Sequence, residues 1–282
     1  MIHFGLIGYP LSHSLSPTLH EAAFEVLALQ GEYLLYPVAP GEIGRLAELA
    51  THMRDGEIQG LNVTIPHKQA IMAVLDELTP SAQAIGAVNT LYIKNGKLIG
   101  HNTDAPGFLA DQAKFLRNTK VEKKVLVLGA GGAARAVVYA LLNDSWKVTL
   151  AVRREDLSQA RVLTESFKSQ TGVGSIEIVL MEAGDLGHLG NDIRLIVNAT
   201  PIGMFPETDS SPWPSGLPFP HGAAVYDLVY NPRQTRLVRD AQAAGLRATT
   251  GLGMLVEQAA LSFACWTGRD VPREVMFAAV EA

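Results

Sequence analysis

Lys124-Val-Leu-Val-Leu128-Gly129-Ala-Gly131-Gly-Ala-Ala134-Arg135 is the stretch on which the fold turns. The apolar run Val125–Leu128 reads as a strand buried on both faces, as in a parallel sheet. It passes without a linker into a G-x-G-x-x-A string, and Ala133 to Leu142 then reads as a helix leading to a second apolar strand, Val148 to Val152. Strand, glycine loop, helix and strand make a β-α-β unit. Glycines there allow a tight turn and close approach of a pyrophosphate, while the helix N-terminus offers free amides and a positive dipole. Gly129, Ala130, Gly131, Gly132 and Ala133 are therefore expected to bind a dinucleotide, against the alternative of a plain strand-to-helix turn. After the second strand, where an NAD site places an acid, the chain reads Val152-Arg153-Arg154, with no acid before Glu155. Two guanidinium groups suit a 2′-phosphate, so NADP is expected. The competing reading is two solvated loop arginines.

Outward from this unit, strands are expected at Ile176–Leu180, Leu195–Ala199 and Ala224–Leu228, with Met204–Pro220 an ordered surface loop. Helices close the chain from about Gly253 to Trp266 and from about Pro272. Upstream, Ile2–Gly8 reads as a strand, Ser16-Pro17 as an N-cap and first helical residue, and Pro66 as the opening of another helix. A helix from about Glu42 should bury Ile43, Leu46, Ala47, Ala50 and Met53. Thr90–Lys94 and Lys97–Gly100, joined by Asn95-Gly96, have a type I′ hairpin signature, and a helix should start close to Asp104. The expected architecture is α/β in two domains with a cleft between them. An N-terminal α/β substrate domain covers 1–104, with a helix from about 255–282 returning to it. A doubly wound Rossmann-type NADP-binding domain covers 105–254.

Bulk properties fit a soluble globular chain. The 282 residues are 48% hydrophobic and 18% charged, which excludes a disordered chain or a highly charged coiled coil. A net charge of −5 makes nucleic acid and anionic membranes poor partners. Cys265 is the one cysteine, so no intrachain disulfide forms. No apolar run reaches the ~18 residues of a bilayer span, and a cytoplasmic location is expected. Monomer and homodimer are both compatible with the sequence.

Short polar strings precede the glycine loop: His13-Ser14-Leu15-Ser16-Pro17, Asn62-Val63-Thr64-Ile65-Pro66-His67-Lys68, Gly86-Ala87-Val88-Asn89-Thr90 and Asn102-Thr103-Asp104. All fall at junctions between elements, where side chains from different segments can meet. Each also has a structural reading: Ser16 and Asp104 as helix caps, Asn89 at a strand end, Lys68 on a solvated helix. Their gathering in a chain of modest charge favours a site.

These strings, with Asn198-Ala-Thr-Pro-Ile-Gly-Met204, Asp227-Leu-Val-Tyr-Asn-Pro232 and Gly251-Leu-Gly-Met-Leu-Val-Glu-Gln258, closely resemble the shikimate/quinate dehydrogenase family nearly end to end. The resemblance implies NADP-dependent, reversible reduction of 3-dehydroshikimate to shikimate in aromatic amino-acid biosynthesis. Lys68 and Asp104 would be the catalytic pair. Ser14 and Ser16 would hold the carboxylate, Thr64, Asn89, Asp104 and Gln258 the ring hydroxyls, and Asn62 and Tyr230 would also bind substrate. The cofactor would meet the loop from Gly129, the segment Val152–Arg154, Thr200, Leu228 and Gly251. Two departures stand out: Val152-Arg153-Arg154 replaces the family's usual Asn-Arg-Thr, and Pro80 stands where many members have an acid twelve residues after the lysine.

Gln258 lies on a helical face with Met254, Leu255, Leu261, Ser262 and Cys265, so its amide needs a partner, either a bound hydroxyl or a buried backbone group. Leu255, Ala259 and Ser262 read as packing, and Cys265 as a small core residue. His13, His67 and His101 lack metal-ligand spacing, and no metal is expected. Two alternatives remain: a quinate/shikimate dehydrogenase using NAD or NADP, and a non-catalytic NADP-binding sensor that kept the fold.

Overall fold

A computed structural model describes residues 1–116, 123–171 and 176–281. The chain is α/β and divides into two compact units, Met1–Gly107 with Leu255–Ala282, and Phe108–Met254.

The first unit contains β1 (Ile2–Gly8), α1 (Ser16–Val26), β2 (Gly31–Pro37), α2 (Ile43–Arg54), β3 (Gly60–Val63), β4 (Glu77–Leu78), α3 (Pro80–Ile85), β5 (Thr90–Lys94) and β6 (Lys97–His101). α4 (Asp104–Leu116) then leads into the second unit, made of β7 (Lys124–Leu128), α5 (Gly132–Asn143), β8 (Lys147–Val152), α6 (Leu157–Thr171), β9 (Glu177–Leu180), α7 (Ala183–Gly187), β10 (Leu195–Asn198), β11 (Ala224–Asp227), α8 (Arg236–Ala243) and β12 (Arg247–Thr250). α9 (Leu252–Thr267) returns the chain to the first unit, which α10 (Arg273–Glu281) completes.

In the first unit a mixed sheet runs β2-β1-β3-β5-β6-β4. One face is covered by α2, where Leu46, Leu49, Ala50 and Met53 join Ile7, Leu61, Val63, Leu91 and Leu98 in one apolar cluster. Ile43 is exposed and Ala47 faces solvent, so the buried stripe starts one turn later than periodicity suggests, and Leu49 belongs to it. A second cluster is aromatic: Phe4, Phe24, His20, Tyr33 and Phe263 stack or meet edge to face, and Trp266 lies tilted against Phe4 and His20. The β5–β6 turn has Asn95 and Gly96 both at positive φ, the I′ geometry that their sequence favours.

Pro66 opens no α-helix. Residues 66–69 form turns and a 3₁₀ segment, Ala70–Val74, follows. The Lys68 carbonyl is taken by the Val88 amide at 2.8 Å, the His67 ring by the Val38 carbonyl at 2.6 Å, and Met72 N–H reaches only Gln69. Ser16 likewise is the first helical residue rather than the cap; that position is Leu15, while Ser14 Oγ accepts from the Ser16 amide at 3.2 Å.

The second unit holds a wholly parallel sheet in the order β12-β11-β10-β7-β8-β9. β7 is the first strand of this doubly wound arrangement, and the order reverses between β7 and β10, where such sheets bind ligands beyond their carboxyl ends. β7 and β10 are buried along nearly their whole length, which is why Val125–Leu128 and Leu195–Val197 read as unbroken apolar runs.

Candidate active site

In the first unit, topology brings the polar strings to one sheet edge. β1 and β3 run parallel with Ile7 opposite Val63, β5 is antiparallel to β3 with Thr90 opposite Asn62, and β6 is antiparallel to β5 with His101 opposite Thr90. The ends of β1, β3 and β6 and the start of β5 therefore share an edge. Just beyond it lie Ser14 and Ser16 after β1, Thr64 and Lys68 after β3, Asn89 before β5, and Asp104 after β6. α9 adds Gln258.

Four of these side chains are joined directly. Lys68 Nζ donates to Asp104 Oδ2 at 2.6 Å, and Asn89 Nδ2 donates to Asp104 Oδ1 at 2.9 Å and to Gln258 Oε1 at 3.3 Å. Side-chain exposure is 13% for Lys68 and 5% for Asp104, so this ion pair is largely out of water, where breaking it by removing one partner leaves a costly unpaired charge. Ser14 and Thr64 are half-buried, and Ser16 is buried. Gln258 Nε2 donates to the Leu255 carbonyl at 2.7 Å, which is the backbone alternative for the partner its amide needs.

Some placements differ from expectation. Asn62 is buried and its amide is spent on the protein: Oδ1 accepts from Tyr33 Oη at 2.9 Å, and Nδ2 donates to the Asn89 carbonyl at 3.0 Å and to Ser262 Oγ at 2.9 Å. That sets it behind the site rather than in it. Ser262, read as packing, is a polar junction, and Cys265 is exposed rather than in the core. Both errors arise because helical spacing marks a face without saying what that face meets. His67 and His101 bond to the Val38 carbonyl and to Thr79 Oγ1, and no cluster of metal-ligating side chains occurs among the described residues.

The second unit presents its candidates at the carboxyl ends of its strands. Gly129 has φ +105°, and a Cβ there would lie 2.8 Å from Thr200 Cγ2, so β7 turns tightly against the loop after β10. A Cβ at Gly131 would meet nothing within 4 Å. This glycine caps α5, whose first turn has no acidic residue and no side-chain cap. Open space over uncapped amides is what a pyrophosphate requires, and the site fits a dinucleotide. Gly251 packs against the Leu228 backbone so closely that any side chain would overlap it. Asn198 Oδ1 accepts from the Thr200 amide and hydroxyl at 3.0 and 2.7 Å, ordering that loop. Tyr230 is half-buried, and burial raises its phenol.

Arg153 and Arg154 are exposed. Arg153 pairs with Asp156 at 2.8 Å and Glu155 at 3.3 Å, and Arg154 with Glu182 at 3.2 Å. Exposed pairs of this kind are weak, so both guanidinium groups can exchange these partners for a phosphate. Val152 is fully buried and its carbonyl accepts from the Met181 amide at 2.8 Å; its side chain has no open face for a cofactor.

A doubly wound second unit with a glycine-loop cradle, together with a first unit carrying a buried lysine–aspartate pair at its strand ends, defines a nucleotide-dependent oxidoreductase class. The shikimate dehydrogenase substrate binding domain family matches residues 6–91, and the shikimate 5′-dehydrogenase C-terminal domain family matches 251–281. A shikimate dehydrogenase (NADP(+)) of Salinibacter ruber is 41% identical over 98% of this chain and 96% of its own. The crystal structure of shikimate 5-dehydrogenase from Thermus thermophilus with NADP(H) and shikimate has a TM-score of 0.81 at 39% identity, covering 100% of this chain and 99% of that one. Quinate dehydrogenase from Corynebacterium glutamicum in complex with NAD has a TM-score of 0.86 at 31% identity, covering 99% and 98%. This chain belongs to the shikimate dehydrogenase family.

Proposed function

We propose that this protein catalyses the NADP-dependent, reversible reduction of 3-dehydroshikimate to shikimate. The first unit binds the substrate and the second the cofactor. The observation that carries the mechanism is the 2.6 Å contact between Lys68 Nζ and Asp104 Oδ2. NADPH, when bound, supplies the hydride for the ring carbonyl. The chain must supply the proton, and the buried Lys68–Asp104 contact supports Lys68 as its source: a cationic Nζ polarises the carbonyl and protonates the developing alkoxide, and in the reverse direction its neutral form accepts the alcohol proton. Asp104 holds that ammonium with one oxygen while its other accepts from Asn89, which fixes the plane of the carboxylate. Ser14 and Ser16 take the substrate carboxylate, and Thr64, Asn89 and Gln258 its hydroxyls.

NADP rather than NAD is favoured by Arg153 and Arg154 at the end of β8, beside no acid that would repel a 2′-phosphate except those they already pair with. Quinate differs from shikimate by a hydroxyl on the carboxylate-bearing carbon and is the natural competitor, given the likeness to a quinate dehydrogenase.

The test is nicotinamide reduction by the purified protein with shikimate or quinate, each with NADP or NAD. Shikimate with NADP gives the highest kcat/KM. Lys68→Ala lowers kcat by at least ~100-fold with a much smaller change in KM. Near-normal turnover in that variant sinks the proton-transfer assignment, preference for quinate with NAD overturns the substrate and cofactor, and no turnover in any combination leaves the sensor.

A further inference from the structure

Behind the Lys68–Asp104 pair lies a knot of buried polar groups with no ligand to bind. Ser262 Oγ on α9 lies 2.9 Å from Asn62 Nδ2, 2.8 Å from Thr90 Oγ1, 3.0 Å from Thr103 Oγ1 and 2.9 Å from the Gln258 carbonyl. Ser262 and Thr90 are 0% exposed, Thr103 1% and Asn62 5%. A serine hydroxyl has one proton and two lone pairs, and the distances admit a consistent assignment. The Ser262 proton is shared between Thr90 Oγ1 at 2.8 Å and the Gln258 carbonyl at 2.9 Å, and the Ser262 oxygen accepts from Asn62 Nδ2 and from the Thr103 hydroxyl. Thr103 Oγ1 is then free to accept from Asn89 Nδ2 at 2.8 Å. Thr90 Oγ1 donates to Asn89 Oδ1 at 3.0 Å, and the Thr103 backbone amide does so at 2.8 Å. With its oxygen loaded by these donors, Asn89 must turn its NH₂ group toward Thr103 and Asp104.

We propose that Ser262, acting with Thr103 through the side chain of Asn89, is a positioning residue that orients the Asp104 carboxylate for its contact with Lys68. This rests on the reading of Lys68 and Asp104 as the proton-transfer pair. Ser262 touches none of the reacting groups. Removing its oxygen strands the Asn62 N–H in a dry interior, leaves the Thr103 hydroxyl free to turn, and loosens the amide that splits its donors between Thr103 and Asp104. Misplacement of a catalytic group on this scale lowers the rate without abolishing binding.

The experiment compares Ser262→Ala, Thr103→Val and Thr103→Ser in the full-length enzyme. Thr103→Val removes the hydroxyl at nearly constant volume, and Thr103→Ser keeps it. Ser262→Ala and Thr103→Val should lower kcat roughly 10-fold while the KM for NADP stays within about twofold, and Thr103→Ser should stay within about twofold of wild type in kcat. Wild-type kcat in Ser262→Ala and Thr103→Val overturns the proposal. So does a rise in the NADP KM that matches the loss in kcat, or an equal loss in Thr103→Ser, because either marks general loosening. If Ser262→Ala does not fold, the two Thr103 variants decide. Lys68→Ala, assayed alongside, separates the two claims: a dead Lys68→Ala with a normal Ser262→Ala overturns only the positioning role, and an active Lys68→Ala overturns the pair itself.

Discussion

His20 lies face to face with Tyr33, ring centroids 4.2 Å apart, and within 6 Å of Phe263 and Trp266. It is fully buried, and neither ring nitrogen completes a hydrogen bond. Burial lowers its pKa from 6.5 to about 3, and the neighbouring Asn62 side chain opposes that shift without reaching normal hydrogen-bond geometry. The unfolded chain takes up a proton near pH 6.5 and the folded chain does not. Stability is therefore full above pH 6.5 and falls with pH at about 1.4 kcal/mol per unit until the folded value is reached. His20→Phe keeps the stack and removes the titration, so relative to wild type it should gain about 2 kcal/mol between pH 6.5 and 4.5 in chemical denaturation. A difference that does not change with pH sinks this account. In the sequence His20 is one more residue of an amphipathic helix. Its burial follows from β2 and α9, which lie distant in the chain, so no local pattern announces it. Lys68 and Asp104 were legible because each sits in a string of polar residues at an element boundary.

The ends of β10 and β11 are tied together by one carboxylate. Asp227 accepts from Asn198 Nδ2 at 2.8 Å, the Val229 amide at 3.0 Å and Thr235 Oγ1 at 2.6 Å, so a single buried group organises the loops that carry Thr200 and Tyr230. Burial raises its pKa from 3.8 to about 6 against the pull of those three donors. Here the sign is opposite to that of His20: the folded state holds the proton more tightly, so stability falls as pH rises from 3.8 through 6, by about 3 kcal/mol in all. Asp227→Asn can accept from Asn198 and Val229 and donate to Thr235. Its stability relative to wild type should therefore rise by about that amount between pH 4 and pH 7. A flat difference would mean that Asp227 does not titrate in this window. Strands β7, β8, β10 and β11 were legible as apolar runs. β2 and β12 gave no comparable signal: Tyr33 is the only buried residue of β2, and β12 reads Arg-Ala-Thr-Thr with none. They form because β1 and β11 offer them open edges.

Over the whole molecule, the glycine loop and the polar strings indicated two units with separate tasks, and the proposed function divides the ligands between them. Hydrogen exchange should report that division: NADP alone slows exchange around Gly129–Ala133 and Thr200 in the second unit, and shikimate alone slows it around Asn62–Lys68, Asn89 and Thr103–Asp104 in the first. Protection by NADP confined to the first unit would overturn the division. Less legible was the extent to which the first unit depends on α9. Gln258 was visible through its motif, but Ser262 reads as filler until its partners from β3, β5 and the end of β6 are in place. The discontinuous make-up of that unit also bears on synthesis. Strands and helices through Gly107 leave the ribosome early, yet the polar knot around Asn62, Thr90 and Thr103 lacks its central hydroxyl until α9 is made. Phe108–Met254 is continuous and can fold in the interval. The surroundings of the pair proposed to transfer the proton are thus finished last, by a helix translated after nearly all of Phe108–Met254.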